Sequence, residues 1–274
     1  MNMFSLKPYM AQRRFLTLLF AGIVAVSFGA IAYRLYQQAL TNSAIEEAQA
    51  LFNENNTFLQ NELKEDHSKA REINPPIKKE VTPAIAALQD INPEVVGWIR
   101  IAETAIDYPI VQGSDNQYYL DHDWKKEKNR SGAIFMDYRN DPDALTNAET
   151  HTILYGHHMR DGSMFKQLVA YKDPAFLKDH PLILIQDQYE THYYEIFSVY
   201  VSTSDFYYIE TNFATPMDYV MFIKQLQTNS MHQSDQLLTS HDRLLTLSTC
   251  TYEYNDARFV VHARHVDHLP KKGS

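Results

Sequence analysis

The sequence predicts a mainly β domain, a barrel or a sandwich, joined to one membrane-spanning helix. Three observations predict it. Between Val95 and Val266 eight short segments rich in Val, Ile, Tyr and Phe alternate with polar turns: VVGWIRI, AIDYPIV, GAIFMDY, HTILYG, PLILIQ, THYYEIFSVYVST, RLLTLSTC and ARFVVHARHV. Eight such strands closing on one another account for a barrel or sandwich. The chain carries 18 tyrosines, a residue suited to half-buried sheet faces with its polar tip in water. Near the N-terminus, FLTLLFAGIVAVSFGAIAY (Phe15 to Tyr33) runs without a charge, and as a helix it would span roughly 28 Å, about one hydrocarbon core.

The elements follow in order. Lys7, Arg13 and Arg14 precede the apolar run, while the first charges beyond Arg34 are Glu46 and Glu47. That asymmetry predicts residues 1–14 in the cytoplasm, 15–33 as an anchor and the bulk of the chain outside. A cleaved signal peptide competes, because Ala30-Ile31-Ala32 resembles a small-residue cleavage site, but the run is long for a signal peptide's core. Residues 34–80 are polar and rich in helix formers, with Ile45, Ala48, Leu51 and Phe52 at helical spacing, until Pro75-Pro76 breaks the pattern. They read as a helical stalk or a flexible tether. The folded domain is expected over 81–274, opening with a short helix at Ala84–Asp90. Two helices interrupt the strands: SMFKQLVAY, and MDYVMFIKQLQTNS after Pro216, with Tyr219, Phe222, Ile223 and Leu226 on one face.

Composition excludes some functions. A net charge of -9 with no basic stripe argues against a nucleic-acid partner. A single cysteine cannot form an internal disulfide, so the redox compartment is not legible from cysteines.

That cysteine, Cys250, ends the run RLLTLSTC. A lone thiol is most often a small buried hydrophobe. Three features argue otherwise: its neighbours Ser248, Thr249 and Thr251 are polar, an apolar strand gives way there to the loop TYEYNDA, and Arg258 opens the next strand. If the two strands pair, Cys250 and Arg258 face each other at the loop mouth. A guanidinium favours a thiolate and can hold an oxyanion. Arg264 is the competing arginine, but it would lie about 20 Å further along the strand at roughly 3.3 Å per residue. A cysteine nucleophile also needs a proton carrier. Among 12 histidines, the best placed is His157, which follows the apolar strand TILY and the bend permitted by Gly156.

ILYGHHM together with TLSTC and a downstream arginine in a strand resembles the sortase family, specifically its class B. VVGWIRI, DYPIVQGSDNQYYLDHDW, SGAIFMDYRND and YGHHMRDGSMF extend the resemblance in the same order, over about residues 85–267. It implies a closed eight-stranded barrel with an N-terminal helix and a helix inserted before the cysteine strand. It implies Cys250 as nucleophile, His157 as acid and base, Arg258 as the third catalytic residue, Ser248 in the peptide cleft and the Thr251 N–H as an oxyanion donor. His158 fills a place where the class often has asparagine and receives no role. Thr249, Tyr207, Tyr208 and Ile209 are further expected substrate contacts.

The implied activity is transpeptidation. A C-terminal sorting signal of a secreted protein, LPxTG-like or NPxTN-like, is cut after Thr through a Cys250 thioester. The acyl group then passes to an amine of a peptidoglycan precursor at the surface of a Gram-positive bacterium. Use of a lysine amine in pilin polymerisation, and a non-catalytic membrane-anchored binding domain, are the alternatives. A papain-like protease fits poorly, because its cysteine precedes its histidine and starts a helix. No cofactor is expected. A metal site is not expected either: His262, His265 and His268 are three apart, which in a strand sends them to opposite faces.

Overall fold

The computed structural model describes residues 6–56, 81–143, 150–202, 206–250 and 257–267. Two compact units divide it, Met1–Ser43 and Ala44–Ser274. A single helix, α1 (Leu6–Asn55), contributes to both. Within the first unit the helix exposes Phe15, Leu18, Phe20, Val26 and Phe28 to more than half their surface. Among the described residues it is the one helix long and apolar enough to cross a membrane, by length and composition.

In the second unit all eight expected strands form: β1 (Val95–Arg100), β2 (Asp107–Val111), β3 (Ile134–Met136), β4 (His151–Tyr155), β5 (Leu182–Gln186), β6 (Thr191–Ser202), β7 (Leu244–Cys250) and β8 (Arg258–Val266). They close into a barrel in the order β1-β2-β3-β4-β7-β8-β6-β5. The choice between barrel and sandwich is thereby settled. Closure leaves no free edge for another chain to pair with. Two neighbouring pairs, β2/β3 and β4/β7, are parallel; the rest are antiparallel.

Alternation sorts each strand into an inner and an outer row. The inner row fills the barrel with residues such as Ile99, Ile110, Leu154, Ile185, Leu245, Leu247, Phe259 and Val261. Two outer cores form where helices cover the sheet. One lies under α2 (Pro83–Gln89), matching the short helix expected there, where Ile85 and Leu88 meet Val95 and Trp98. The other lies under α4 (Pro216–Asn229), whose stripe Tyr219, Phe222, Ile223 and Leu226 is buried against Phe197, Tyr200 and Val260. Thr215 and Asp218 close a reciprocal cap at its start, and Pro216 fills the first turn, where no N–H is needed. The SMFKQLVAY segment forms a 3-10 helix, Phe165–Lys172, and the short α3 (Pro174–Asp179) follows it.

The folded unit begins well before residue 81. From Ala44 onward α1 belongs to the barrel unit. Ala44, Ala48 and Phe52 are buried in the same core as Trp98 and Trp124, and the Phe52 ring stacks on Trp98 with centroids 4.1 Å apart. Trp124 Nε1 donates to the Ala44 carbonyl at 2.7 Å. The stripe Ile45–Ala48–Leu51–Phe52 is thus a docking face, where the sequence reading placed a stalk. The rest of the linker, 57–80, lies outside the described residues.

Candidate active site

Backbone register builds the site. β4 and β7 run parallel with Tyr155 opposite Ser248, and the Gly156 N–H donates to the Ser248 carbonyl at 3.2 Å. Two residues further along each strand stand His157 and Cys250. On the other side β7 pairs with β8 antiparallel, with Cys250 directly opposite Arg258. Three adjacent strands therefore deliver His157, Cys250 and Arg258 to one end of the barrel, with the cysteine strand in the middle. Neighbouring strands lie about 4.8 Å apart, so the flanking backbones are roughly 10 Å from each other. Thr251 lies outside the described residues.

Glycine is required at the bend that presents His157. A Cβ on Gly156 would stand 2.5 Å from Ile134 Cδ1 and 2.8 Å from the Phe165 ring. His157 is partly exposed, and its Nε2 lies 2.6 Å from the carbonyl oxygen of Leu120, at the end of the 3-10 turn Tyr118–Leu120. A carbonyl only accepts, so Nε2 carries hydrogen, and Nδ1 is the nitrogen left to exchange a proton.

Arg258 and Arg264 part as strand geometry predicts. Arg264 pairs with Leu244 of β7, six residues from the Cys250 position, and is held by Glu195 at 3.0 Å. Arg258 sits at the loop mouth, half-buried.

Of the expected substrate contacts, Tyr208 and Ser248 meet: both are buried and their hydroxyl oxygens are 2.8 Å apart. Tyr207 is exposed and accepts from Arg139 Nη1 at 2.8 Å, while the Ile209 carbonyl accepts from Arg139 Nη2 at 3.0 Å. Thr249 stands apart. It is buried opposite Phe259 and shares the inner row with Leu245 and Leu247. Its expected place in the cleft does not fit the alternation of β7, which gives the outer row to Thr246 and Ser248.

The sequence reading missed the brace that holds Tyr207 and Ile209. Asp137 is buried and accepts from Arg139 Nε at 2.9 Å and Nη2 at 2.7 Å, from Tyr155 Oη at 2.8 Å and from Asn116 Nδ2 at 3.1 Å. Burial pushes the Asp137 carboxyl up, but the guanidinium and N–H of Arg139, with the Tyr155 hydroxyl, win and hold it below the ordinary carboxylate range. Arg139 is thus fixed by a carboxylate and in turn fixes Tyr207 and Ile209. The sequence signal was the acid–base pair in MDYRN, directly after an apolar strand.

Comparison with known proteins identifies the family. A sequence model of the sortase domain matches residues 99–266. Sortase B of Listeria monocytogenes is 37% identical over 251 residues, covering 91% of this chain and 94% of that protein. A Bacillus anthracis crystal structure described as similar to sortase B is 38% identical, with a TM-score of 0.71 over 84% of this chain and 98% of that one. A Staphylococcus aureus sortase B–substrate complex is 33% identical, with a TM-score of 0.70 over the same shares. The matched span holds the barrel, the histidine turn and the cysteine strand together, and the chain belongs to the sortase family of cysteine transpeptidases, in its class B.

Proposed function

We propose that Cys250, His157 and Arg258 form the catalytic set, and that the chain cuts a sorting signal after Thr and passes the acyl group to an amine. The observation that carries this reading is the delivery of all three residues to one end of β4, β7 and β8 by register alone. The Cys250 thiolate adds to the Thr carbonyl. Arg258 and backbone N–H groups, the Thr251 N–H among them, hold the oxyanion. As the C–N bond breaks, His157 gives the proton on Nδ1 to the leaving amine and leaves a thioester. An incoming amine then attacks the thioester carbon, its proton returns to His157, and the thiolate departs.

The cleft for the peptide runs past Ser248 and Tyr208, with Tyr207 and Ile209 along its wall. That the S. aureus sortase B was solved as a substrate complex supports a bound substrate for this chain as well. The acceptor is a peptidoglycan precursor amine, the substrate a secreted protein with an LPxTG-like or NPxTN-like signal. The apolar helix supports anchoring in the membrane, with residues 1–14 inside and the barrel at the outer face of a Gram-positive cell. The test is intact mass of the chain in detergent micelles after incubation with LPxTG and NPxTN peptides. The expected result is a mass gain equal to the peptide's acyl half, lost in Cys250→Ala. A folded protein that forms no adduct and cleaves neither peptide would overturn the assignment.

A further inference from the structure

Behind residues 206–213 five groups stand in one buried file that the transpeptidation chemistry does not use. His151 opens β4 and is fully buried. Its Nδ1 lies 2.6 Å from the Glu210 carbonyl oxygen and its Nε2 2.6 Å from Thr246 Oγ1. Thr246 Oγ1 is also 2.7 Å from Nδ1 of His262, which is fully buried, and His262 Nε2 is 2.8 Å from the Tyr200 hydroxyl.

The direction of every bond in this file follows from its Glu210 end and from the charge of its two rings. The Glu210 carbonyl can only accept, so His151 carries hydrogen on Nδ1. Burial lowers the pKa of His151 to about 4 and that of His262 well below its ordinary value, so both rings are neutral near pH 7. A neutral His151 must accept at Nε2, so Thr246 donates to it. Thr246 then accepts from His262 Nδ1, and a neutral His262 accepts at Nε2 from Tyr200. One consistent arrangement satisfies all five groups, as burial demands.

Placement gives the file its role. Thr246 lies in the cysteine strand, four residues before Cys250. His151 begins the strand that ends at the His157 turn. Glu210 directly follows Tyr207, Tyr208 and Ile209. On the side of α4 only Tyr219, Phe222, Ile223 and Leu226 are buried in this core, with Phe222 5.4 Å from the His151 ring. The Glu210 carbonyl thus has a ring nitrogen as partner, with the Phe222 ring beside it on the α4 side and Arg139, Asp137 and the Glu210 carboxylate as the charged groups acting on that ring.

We infer that His151, Thr246 and His262 are positioning residues, which clamp the 207–210 wall onto the two strands that carry His157 and Cys250 and so set the cleft for the incoming peptide. The inference rests on the reading of 207–209 as cleft wall. It separates two parameters. Loss of the clamp loosens peptide binding, whereas the acyl-transfer groups stay on their strands.

The test measures KM and kcat for LPxTG and NPxTN peptides with the chain in detergent micelles. Thr246→Val is expected to raise KM by about tenfold, the scale of one buried hydrogen bond, with kcat within about twofold; Thr246→Ser restores the wild-type KM. In 15N-histidine spectra of the unaltered chain at pH 7, His151 and His262 both appear as neutral rings carrying hydrogen on Nδ1. A folded Thr246→Val with wild-type KM, beside a Tyr208→Ala whose KM rises, would overturn the clamp and spare the cleft reading. A Tyr208→Ala that also keeps its KM would overturn both. If Thr246→Val fails to fold, Thr246→Val/His151→Phe, which removes both ends of one bond, is read by the same criteria. Either histidine found charged or carrying hydrogen on Nε2 overturns the file whatever the variants do.

Discussion

His157 Nε2 and the carbonyl oxygen of Leu120 are 2.6 Å apart, so the orientation of the proposed general acid depends on the backbone of a turn far from it in sequence. Gly132, whose φ is +60°, packs against that turn, and the next residue, Ala133, donates its N–H to the Tyr119 carbonyl at 3.0 Å. A Cβ on Gly132 would collide with the carbonyls of Tyr119 and Leu120, coming within 2.8 Å of the latter.

Gly132→Ala is therefore expected to act on catalysis as well as on stability. The left-handed backbone costs a side chain roughly 1–2 kcal/mol, and displacement of the Leu120 carbonyl frees the His157 ring. kcat should fall at least tenfold while the barrel still melts cooperatively. A fall in kcat with KM unchanged would mark a lost orientation; a lower melting temperature with unchanged kcat would show the turn to be structural only.

The two arginines of β8 should separate cleanly. Arg258→Ala is expected to lower kcat by about 10²–10³, the usual loss for one oxyanion donor, and Arg258→Lys should recover little because an ammonium lacks the fixed fork. Arg264→Ala removes a partly exposed pair with Glu195, worth about 0–1 kcal/mol, and should leave turnover unchanged. Steady-state kinetics of the three variants decide this.

The helix that precedes the barrel should prove part of its stability. Phe52 is 1% exposed and stacked on Trp98. Phe52→Ala is expected to cost about 3–5 kcal/mol, and a chain that starts at residue 57 should melt at a lower temperature than one that starts at Ala44. Equal melting temperatures would return the segment to the role of a tether.

Acid should destabilise the fold through buried histidines. His151 is neutral when folded, and His265 is lowered to about 4 by burial and by Arg243 and His192. Around His151 stand Arg139, which lowers it further, and Asp137 and the Glu210 carboxylate, which oppose. Unfolded histidine titrates near 6.5, so between pH 6.5 and about 4 the unfolded chain binds more protons than the native one. Stability is complete above that window and falls as pH drops through it. His151 alone accounts for on the order of 3 kcal/mol at 1.36 kcal/mol per unit. Denaturant melts across this range should show His151→Phe with a shallower slope; an identical slope would contradict the assignment.

Much of this was legible from residue patterns, for reasons that can be named. All eight strands announced themselves because each is a short β-branched or aromatic run bounded by turn chemistry. The placement of Cys250 against Arg258 followed from one strand ending and the next beginning. What stayed hidden was long-range. The stripe Ile45–Ala48–Leu51–Phe52 showed a helix face but not its partner, Trp98, some fifty residues away. Thr249 was expected among the substrate contacts, and the parity of β7 turns it toward the inner row. His151, Thr246 and His262 are polar residues within apolar strands, and a buried polar group must find a partner. That much the sequence could have flagged, but which partner each finds depends on the order β4-β7-β8-β6.

The most direct test of the central claim is trapping of the acyl-enzyme. The chain in detergent micelles, incubated with LPxTG and NPxTN peptides, is digested and mapped by mass spectrometry. The account predicts a thioester on the peptide that contains Cys250, slowed in Arg258→Ala and absent in Cys250→Ala. An acyl adduct on any other residue, or one that survives Cys250→Ala, would contradict it.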